Sequence, residues 1–520
     1  MANQNLFKSS RGAVAPATTS INQAGGQAYE FTPEHALAQL ACTGNFNDTF
    51  YGKAADQLEA LRQAASKCSP KFLAQCALYA REKGYMKDMP AALAVILSKS
   101  DPVLLDTIFD RVIDNGKQVR NFVQMCRSGA FGRKSLGSGP KRLVRRWLAN
   151  KSDHALFRAS VGNSPSLSDI IKMVHPRPST PTRDALYAYL IGKPHEGSAL
   201  PEIVKSFEAW KKGEGSGKVP NVDFRMLTGL PLKKEDWKQI ALDGAWHQTR
   251  MNLNTYERHG VLGDNEVVEA LATKLRDPEQ IRKARAFPYQ LLAAFLFTGA
   301  SLDRRLKNAL QDAVEIATEN VPAYDGNVSV IVDVSGSMTW GSVTGQRGSA
   351  SSKVRPIEVA ALVGATVLRR NDKAVMLPVD TAVHSAHNIN PRDSIMTNAQ
   401  KLAAFGGGGT DLGAAMSQIA AGKVIPDLII MVSDNESWVG GNRYGSTRTM
   451  EIFNRLKIRN SNLKMVCIDT TANSTSQASS LSPDILNIGG FSDQIWETVR
   501  RFTDKSGPDQ WVAEIKAISI

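Results

Sequence analysis

The stretch VSVIVDVSGSM, Val328 to Met338, decides the fold. It opens as a nearly continuous run of β-branched apolar residues, the pattern of a strand covered on both faces. It stops at Asp333 in a turn of small oxygen-bearing side chains, Ser335 and Ser337, separated by Gly336. Downstream, apolar runs and helical patterns alternate: the helix PIEVAALVGATVLRR, the strand AVMLPVD, the helical patterns NAQKLAAF and TDLGAAMSQIAAG, the strand DLIIMVSD, the helix TMEIFNRLKIR, the strand LKMVCID and the late helix SDQIWETVRRFTD. Buried strands separated by helices predict an open, doubly wound α/β sheet over residues 322–520, with its ligand crevice at the carboxyl ends of the strands.

Upstream the periodicity changes. From about Phe31 to Glu319 the chain reads as successive amphipathic helices, such as TPEHALAQLA, PKFLAQCALYAREKGY and DPVLLDTIFDRVIDNG. Apolar residues recur three and four apart, and several helices open with Ser, Thr or Asp followed by Pro. No such helix buries a face alone, so stacking is expected, as in a HEAT-like helical repeat; an irregular bundle is the alternative. The expected domains are a flexible polar arm over 1–27, a helical domain over 28–321 and the α/β domain over 322–520.

Composition narrows the function classes. The chain has 520 residues, 42% hydrophobic and 22% charged, the profile of an ordered soluble protein of two or three domains. It shows no secretion signal and no apolar run of membrane-spanning length. The five cysteines, Cys42, Cys68, Cys76, Cys126 and Cys467, include no C-x-x-C pair, so a reducing cytoplasm is expected, without a disulfide framework or thiolate zinc site. The formal charge of +13 favours a polyanionic partner, with the distribution of charge deciding.

Asp333, Ser335 and Ser337 alternate where a strand ends, so their oxygens can converge on one point, and a hard cation such as Mg²⁺ takes such a shell. Alone the triplet also fits an ordinary turn. Two further segments strengthen the metal reading: FGGGGTDLG places Thr410 ahead of a helix, and LIIMVSDNES places Asp434 directly after another buried strand. Hydrolysis or phosphoryl transfer at Asp333 would need a placed base or nucleophile, for which His384 and His387 are the candidates. FGGGGTD lacks the G-K-[ST] ending of a phosphate loop, and no nucleophile–base pair emerges.

Positive charge concentrates in GRKSLGSGPKRLVRRWL, with Arg133, Lys134, Lys141, Arg142, Arg145 and Arg146 and no acidic residue. Read as a helix after Pro140, it packs Leu143, Val144, Trp147 and Leu148 and presents cations on the other side, a face suited to phosphates. Arg158, Lys172, His175 and Arg177 follow, the last two in KMVHPRPST, and Lys283 and Arg285 lie in KLRDPEQIRKARAFPYQ. No RRM, KH or zinc-finger signature is present.

DVSGSM, then GGT, then SD resembles the metal-ion-dependent adhesion site of von Willebrand factor A domains. That likeness implies a divalent cation, Mg²⁺, at Asp333, Ser335, Ser337, Thr410 and Asp434, with a position open for an acidic group of a partner. With KMVHPRPS, KARAFPYQLL and GNVSVIVDVSGSM, the chain from about Phe31 resembles the Ro autoantigen family. The family's helical TROVE module forms a HEAT-like ring, followed by an A domain.

The resemblance implies a non-catalytic, monomeric protomer. Small noncoding Y RNAs would bind its outer basic surface, with His175 and Arg158 among the contacts. The single-stranded 3′ ends of misfolded or maturing RNAs would enter its central hole, and a Y RNA would tether the exoribonuclease polynucleotide phosphorylase. A metal-dependent nuclease or phosphatase, and a protein adhesion module with incidental basic charge, are the competing readings.

Overall fold

The structure, a computed structural model, describes residues 15–47, 53–214, 217–284, 288–319, 321–343, 354–439, 445–471, 473–490, 494–504 and 510–520. Its strands are β1 (Ser20–Ile21), β2 (Gln27–Glu30), β3 (Val328–Asp333), β4 (Ala374–Val379), β5 (Leu428–Ser433), β6 (Lys464–Asp469), β7 (Thr475–Ser476) and β8 (Ile485–Gly489). Five of them form a parallel sheet in the order β4-β3-β5-β6-β8. Every residue of β3 and β5 is buried, as their unbroken apolar runs require. The chain adds β4 on one side of β3 and then crosses to place β5 on the other. The order therefore reverses between β3 and β5, where a ligand crevice opens in sheets of this kind.

The strand ends are level. Asp333 pairs with Val379, Ser433 with Asp469, and Asp469 with Gly489. The α/β architecture read from the sequence is thus observed, and β8 was not foreseen, because its short run ILNIG is interrupted by Asn487.

By compactness the chain divides into two units. One unit comprises Met1–Cys68, Arg285–Leu296 and Gln311–Ala517; the other comprises Ser69–Ala284, Phe297–Leu310 and Ile518–Ile520. In the first, β1 and β2 form a hairpin, and β2 pairs antiparallel with β7. Helix Pro33–Thr43, capped by the Thr32 hydroxyl, lies against β8 and helix Gln510–Lys516. Its Gln39 Nε2 donates to Asp469 Oδ2 at 2.7 Å.

The second unit is helical throughout. Helices Pro70–Glu82, Asp88–Ser100, Pro102–Val112 and Gly116–Arg127 pack on one another in succession, as the stacked-helix reading requires. Ser69, Asp101, Ser152 and Thr180 accept backbone N–H bonds as N-caps, and three of them precede a proline. Phe109 meets Phe122 edge to face at 5.2 Å in a fully buried core. Truncating either ring to alanine costs about 3–5 kcal/mol at such a site. The C-terminus closes onto this unit, with Arg111 Nη1 donating to the Ser519 carbonyl at 2.7 Å.

Candidate functional site

Three loops at the carboxyl ends of β3 and β5 carry the residues read as metal ligands, and the backbone sews them together. The Ser335 N–H donates to Asp333 Oδ1 at 2.9 Å, and the Ser335 and Ser337 hydroxyls lie 3.2 Å apart. Gly336 N–H donates to the Gly408 carbonyl at 2.8 Å, joining the first loop to the glycine run. The Thr410 carbonyl accepts from the Trp438 and Val439 N–H groups, each at 3.1 Å, joining the glycine run to the loop after β5. Gly406 sits at φ +111°, where a Cβ would come within 2.0 Å of the Val334 carbonyl, so the glycine run lets the second loop lie on the first.

All five candidates are buried. Burial raises the Asp333 carboxyl above its ordinary value, and the neighbouring Asp380 adds to the rise. Asp434 is pushed up to about 7, by burial first and by the Asp333 charge second. The Ser433 hydroxyl donates to Asp333 Oδ2. The Thr410 hydroxyl has no hydrogen-bond partner among the described residues. Two buried carboxyls, each raised chiefly by burial, beside three small hydroxyls form a donor set that a divalent cation fits. Among the described residues no three His, Cys, Asp or Glu side chains group as a metal site; the cradle is mixed carboxylate and hydroxyl. A cavity of about 390 Å³ opens beside it, lined by Ser337, Trp340 and Asp434 and, from the amino-terminal segment, by Gln23, Thr43 and Gln57.

Several acidic groups here escaped the sequence reading. Burial pushes Glu436 up to about 8, and its Oε2 accepts the Ala24 N–H from the β1–β2 hairpin at 3.1 Å. Asp469, fully buried at the end of β6, is likewise raised by burial. Burial also works upward on Asp380, but hydrogen bonds from Ala382 N–H and His384 outweigh it and hold the carboxyl below its usual range. His384 Nε2 lies 3.0 Å from Asp380 Oδ1, while His387 Nδ1 meets the Ser385 hydroxyl at 3.1 Å. Both histidines thus find their partners within their own loop, and the carboxylate stands beside His384 while the serine hydroxyl stands beside His387.

The basic candidates separate into tied and exposed groups. Helix Ser138–Asn150 forms as expected, burying Leu143, Val144, Trp147 and Leu148. Its polar face has one sign only in the linear sequence, because helix Pro102–Val112 sets carboxylates against it. Arg146 reaches Asp106 at 2.9 Å and Asp110 at 3.3 Å, and Arg142 stands 4.0 Å from Asp106. Arg133 donates to the Ser98 hydroxyl at 2.7 Å and carbonyl at 3.1 Å, a bracing role.

Arg145 Nε donates to the Val174 carbonyl, which brings this helix beside His175. His175 ends helix Leu167–Val174 in the left-handed conformation, φ 50°, and is exposed together with Lys172 and Arg177. Lys134, Arg142, Arg158 and Lys283 are exposed and Lys141 is half-buried, while Arg285 lies outside the described residues. The five cysteines form no disulfide, and among the described residues no helix is long and apolar enough to cross a membrane.

Residues 327–503 match the family model described as the Ro60 vWA domain. The chain is 24% identical over 516 residues to the RNA-binding protein RO60 of Deinococcus radiodurans, covering 90% of this chain and 92% of that one. The crystal structure of the Deinococcus radiodurans RO (RSR) protein shares the fold with a TM-score of 0.63 at 19% identity, covering 91% of this chain and 99% of that one.

Proposed function

We propose that the chain is a bacterial Ro-type protein, non-catalytic and RNA-binding, that acts in RNA quality control or processing. Y-type noncoding RNA binds the exposed basic surface around His175, and single-stranded 3′ ends of misfolded or maturing RNAs bind in the cavity of the helical module. A bound Y RNA tethers the exoribonuclease polynucleotide phosphorylase.

One observation carries the reading: the Arg145–Val174 hydrogen bond gathers Arg142, Lys172, His175 and Arg177 on neighbouring exposed positions. Exposed cations held by rigid helices contact phosphates and release counterions, so binding falls steeply with salt. The relative's description as an RNA-binding protein supports the same assignment.

Asp333, Ser335, Ser337, Thr410 and Asp434 hold Mg²⁺ in this reading. The cation supplies charge neutralisation and an open position for an acidic group. The chain's own residues set the hydroxyls, exclude water from the two carboxylates and keep the three loops in register.

The test is crosslinking of the full chain in cells, followed by sequencing of the bound RNA and mapping of the crosslinked peptides. Structured small RNAs crosslinked to peptides around residues 133–177 are expected. Purified chain that carries no RNA, or that turns over RNA or phosphate esters with Mg²⁺ and loses turnover in Asp333→Ala, overturns the proposal.

A further inference from the structure

The helical unit contains a cavity of about 810 Å³ that none of the basic contacts uses. It lies among helices Glu202–Lys211, Phe224–Leu227 and Lys234–Asp243, within the size range of small-ligand pockets. We propose that it is a pocket for one unstacked base of a single-stranded RNA, held between Trp210 and Phe224. This rests on the RNA-binding reading and deepens it by naming a site for the strand's base as distinct from its phosphates.

The two aromatic residues that line the cavity are half-buried. Phe224 is fixed from behind by an edge contact to Trp237 at 6.1 Å, and Trp237 in turn stacks on His259 at 4.1 Å. A preset aromatic face gains stacking energy with any base at little ordering cost.

The pocket's third wall, the segment Gly217–Val222, is clamped by Gln239. Its Oε1 accepts the Val219 N–H at 3.0 Å, and its Nε2 donates to the Val219 carbonyl at 3.4 Å. Against these fixed walls stand polar groups without partners among the described residues: the Trp210 indole N–H, the Ser206 hydroxyl and the Asn221 amide. Donors and an acceptor around an aromatic slot match the mixed edge of a nucleobase.

Charge argues for the base over the phosphate. Glu202, Glu214 and Asp243 line the cavity with Lys205 and Lys218, and Glu202 already stands 3.6 Å from Lys205. Carboxylates repel a phosphate but accept from the amino and imino groups of a base. The neighbouring Lys212, exposed at the end of helix Glu202–Lys211, can take the backbone outside.

The test uses the full chain and a fluorescent, unstructured single-stranded RNA of about ten nucleotides, a length typical of such sites. Trp210→Ala is expected to weaken its binding about tenfold without changing the salt slope, and Trp210→Phe to restore most of the loss. Ultraviolet crosslinking of a 4-thiouridine version of the strand to the unaltered chain is expected within residues 202–227, and it decides the matter should Trp210→Ala fail to fold. Equal affinity of Trp210→Ala and the unaltered chain, or crosslinks confined to peptides outside 202–248, overturns the pocket and leaves the RNA-binding reading standing. Failure of the unaltered chain to bind either single-stranded or structured RNA overturns that reading and the pocket with it.

Discussion

In the helical unit Arg146 meets Asp106 and Asp110, Arg111 meets Glu82 and Arg81 meets Asp114, all at partly exposed positions. In the α/β unit Asp333, Asp434 and Asp469 are buried, and burial and neighbouring carboxylates, not a basic side chain, dominate their surroundings. The first pattern spends little free energy on each pair, since an exposed ion pair contributes about 0–1 kcal/mol. It leaves the unpaired cations free for an outside polyanion. The second stores repulsion in the interior and is relieved only by protonation or by a cation. One unit is built to meet charge at its surface and the other to take charge into its core.

The largest expected effect breaks the second half of that contrast. Mg²⁺ at a hundred times its dissociation constant should stabilise the α/β transition by about 3 kcal/mol in thermal melts, relative to melts in chelator. Asp434→Asn removes one of two buried like charges. It should raise the transition in chelator and abolish the response to Mg²⁺. An equal Mg²⁺ response in both proteins would show that the ion acts elsewhere.

A smaller effect sharpens the first half. Reversing Arg142, Lys172 and Arg177 to glutamate together should weaken structured RNA binding about thirtyfold, roughly 2 kcal/mol, and flatten the salt slope. Melting should be little changed, since Lys172 and Arg177 are exposed and Arg142 only approaches Asp106 at 4.0 Å. Arg146→Ala should do the reverse, lowering stability by about 1 kcal/mol and leaving binding near its original value. Gel shifts and melts on the unaltered chain and these two variants would separate the tied arginine from the exposed cations.

These two patterns were unequally legible in the sequence. The oxygen cluster was readable because its residues sit in three short local signals, two at the ends of apolar runs and one at the end of a glycine run. Asp380, Glu436 and Asp469 were not, because their significance lies in lateral neighbours: Asp469 matters through Gln39, contributed from the far end of the chain. The basic helix was readable as a helix and as a packed face, but its apparent single sign was not. Asp106 lies forty residues from Arg146 and one helix away in space. Likewise β1, in the segment expected to be a loose arm, forms a hairpin with β2, at the start of the expected helical domain, and the pairing of β2 to β7 spans most of the chain. Local periodicity reports what a segment buries; it does not report what another segment sets against its polar side.

The smallest effect probes a basic group inside the α/β unit. His35 is buried between Phe31, on which it stacks at 4.2 Å, and Trp511, which it meets edge-on at 5.4 Å. Burial lowers its pKa to about 4 from an ordinary 6.5. The unfolded chain therefore takes up this proton first as pH falls. The stability His35 allows is complete above pH 6.5 and is lost as pH drops towards 4, amounting to about 1 kcal/mol by pH 5.5. Asp434, raised to about 7, and Glu436, raised to about 8, act in the opposite sense. Their folded forms hold protons that the unfolded chain releases, so their contribution falls as pH rises from the ordinary carboxylate range to 7 or 8. The raw profile of the unit mixes the two, and His35→Gln separates them. The stability difference between the unaltered chain and His35→Gln should be constant above pH 7 and should shrink by about 1 kcal/mol at pH 5.5, read from denaturant melts at matched ionic strength. A difference that does not change with pH would place the His35 ring in contact with water.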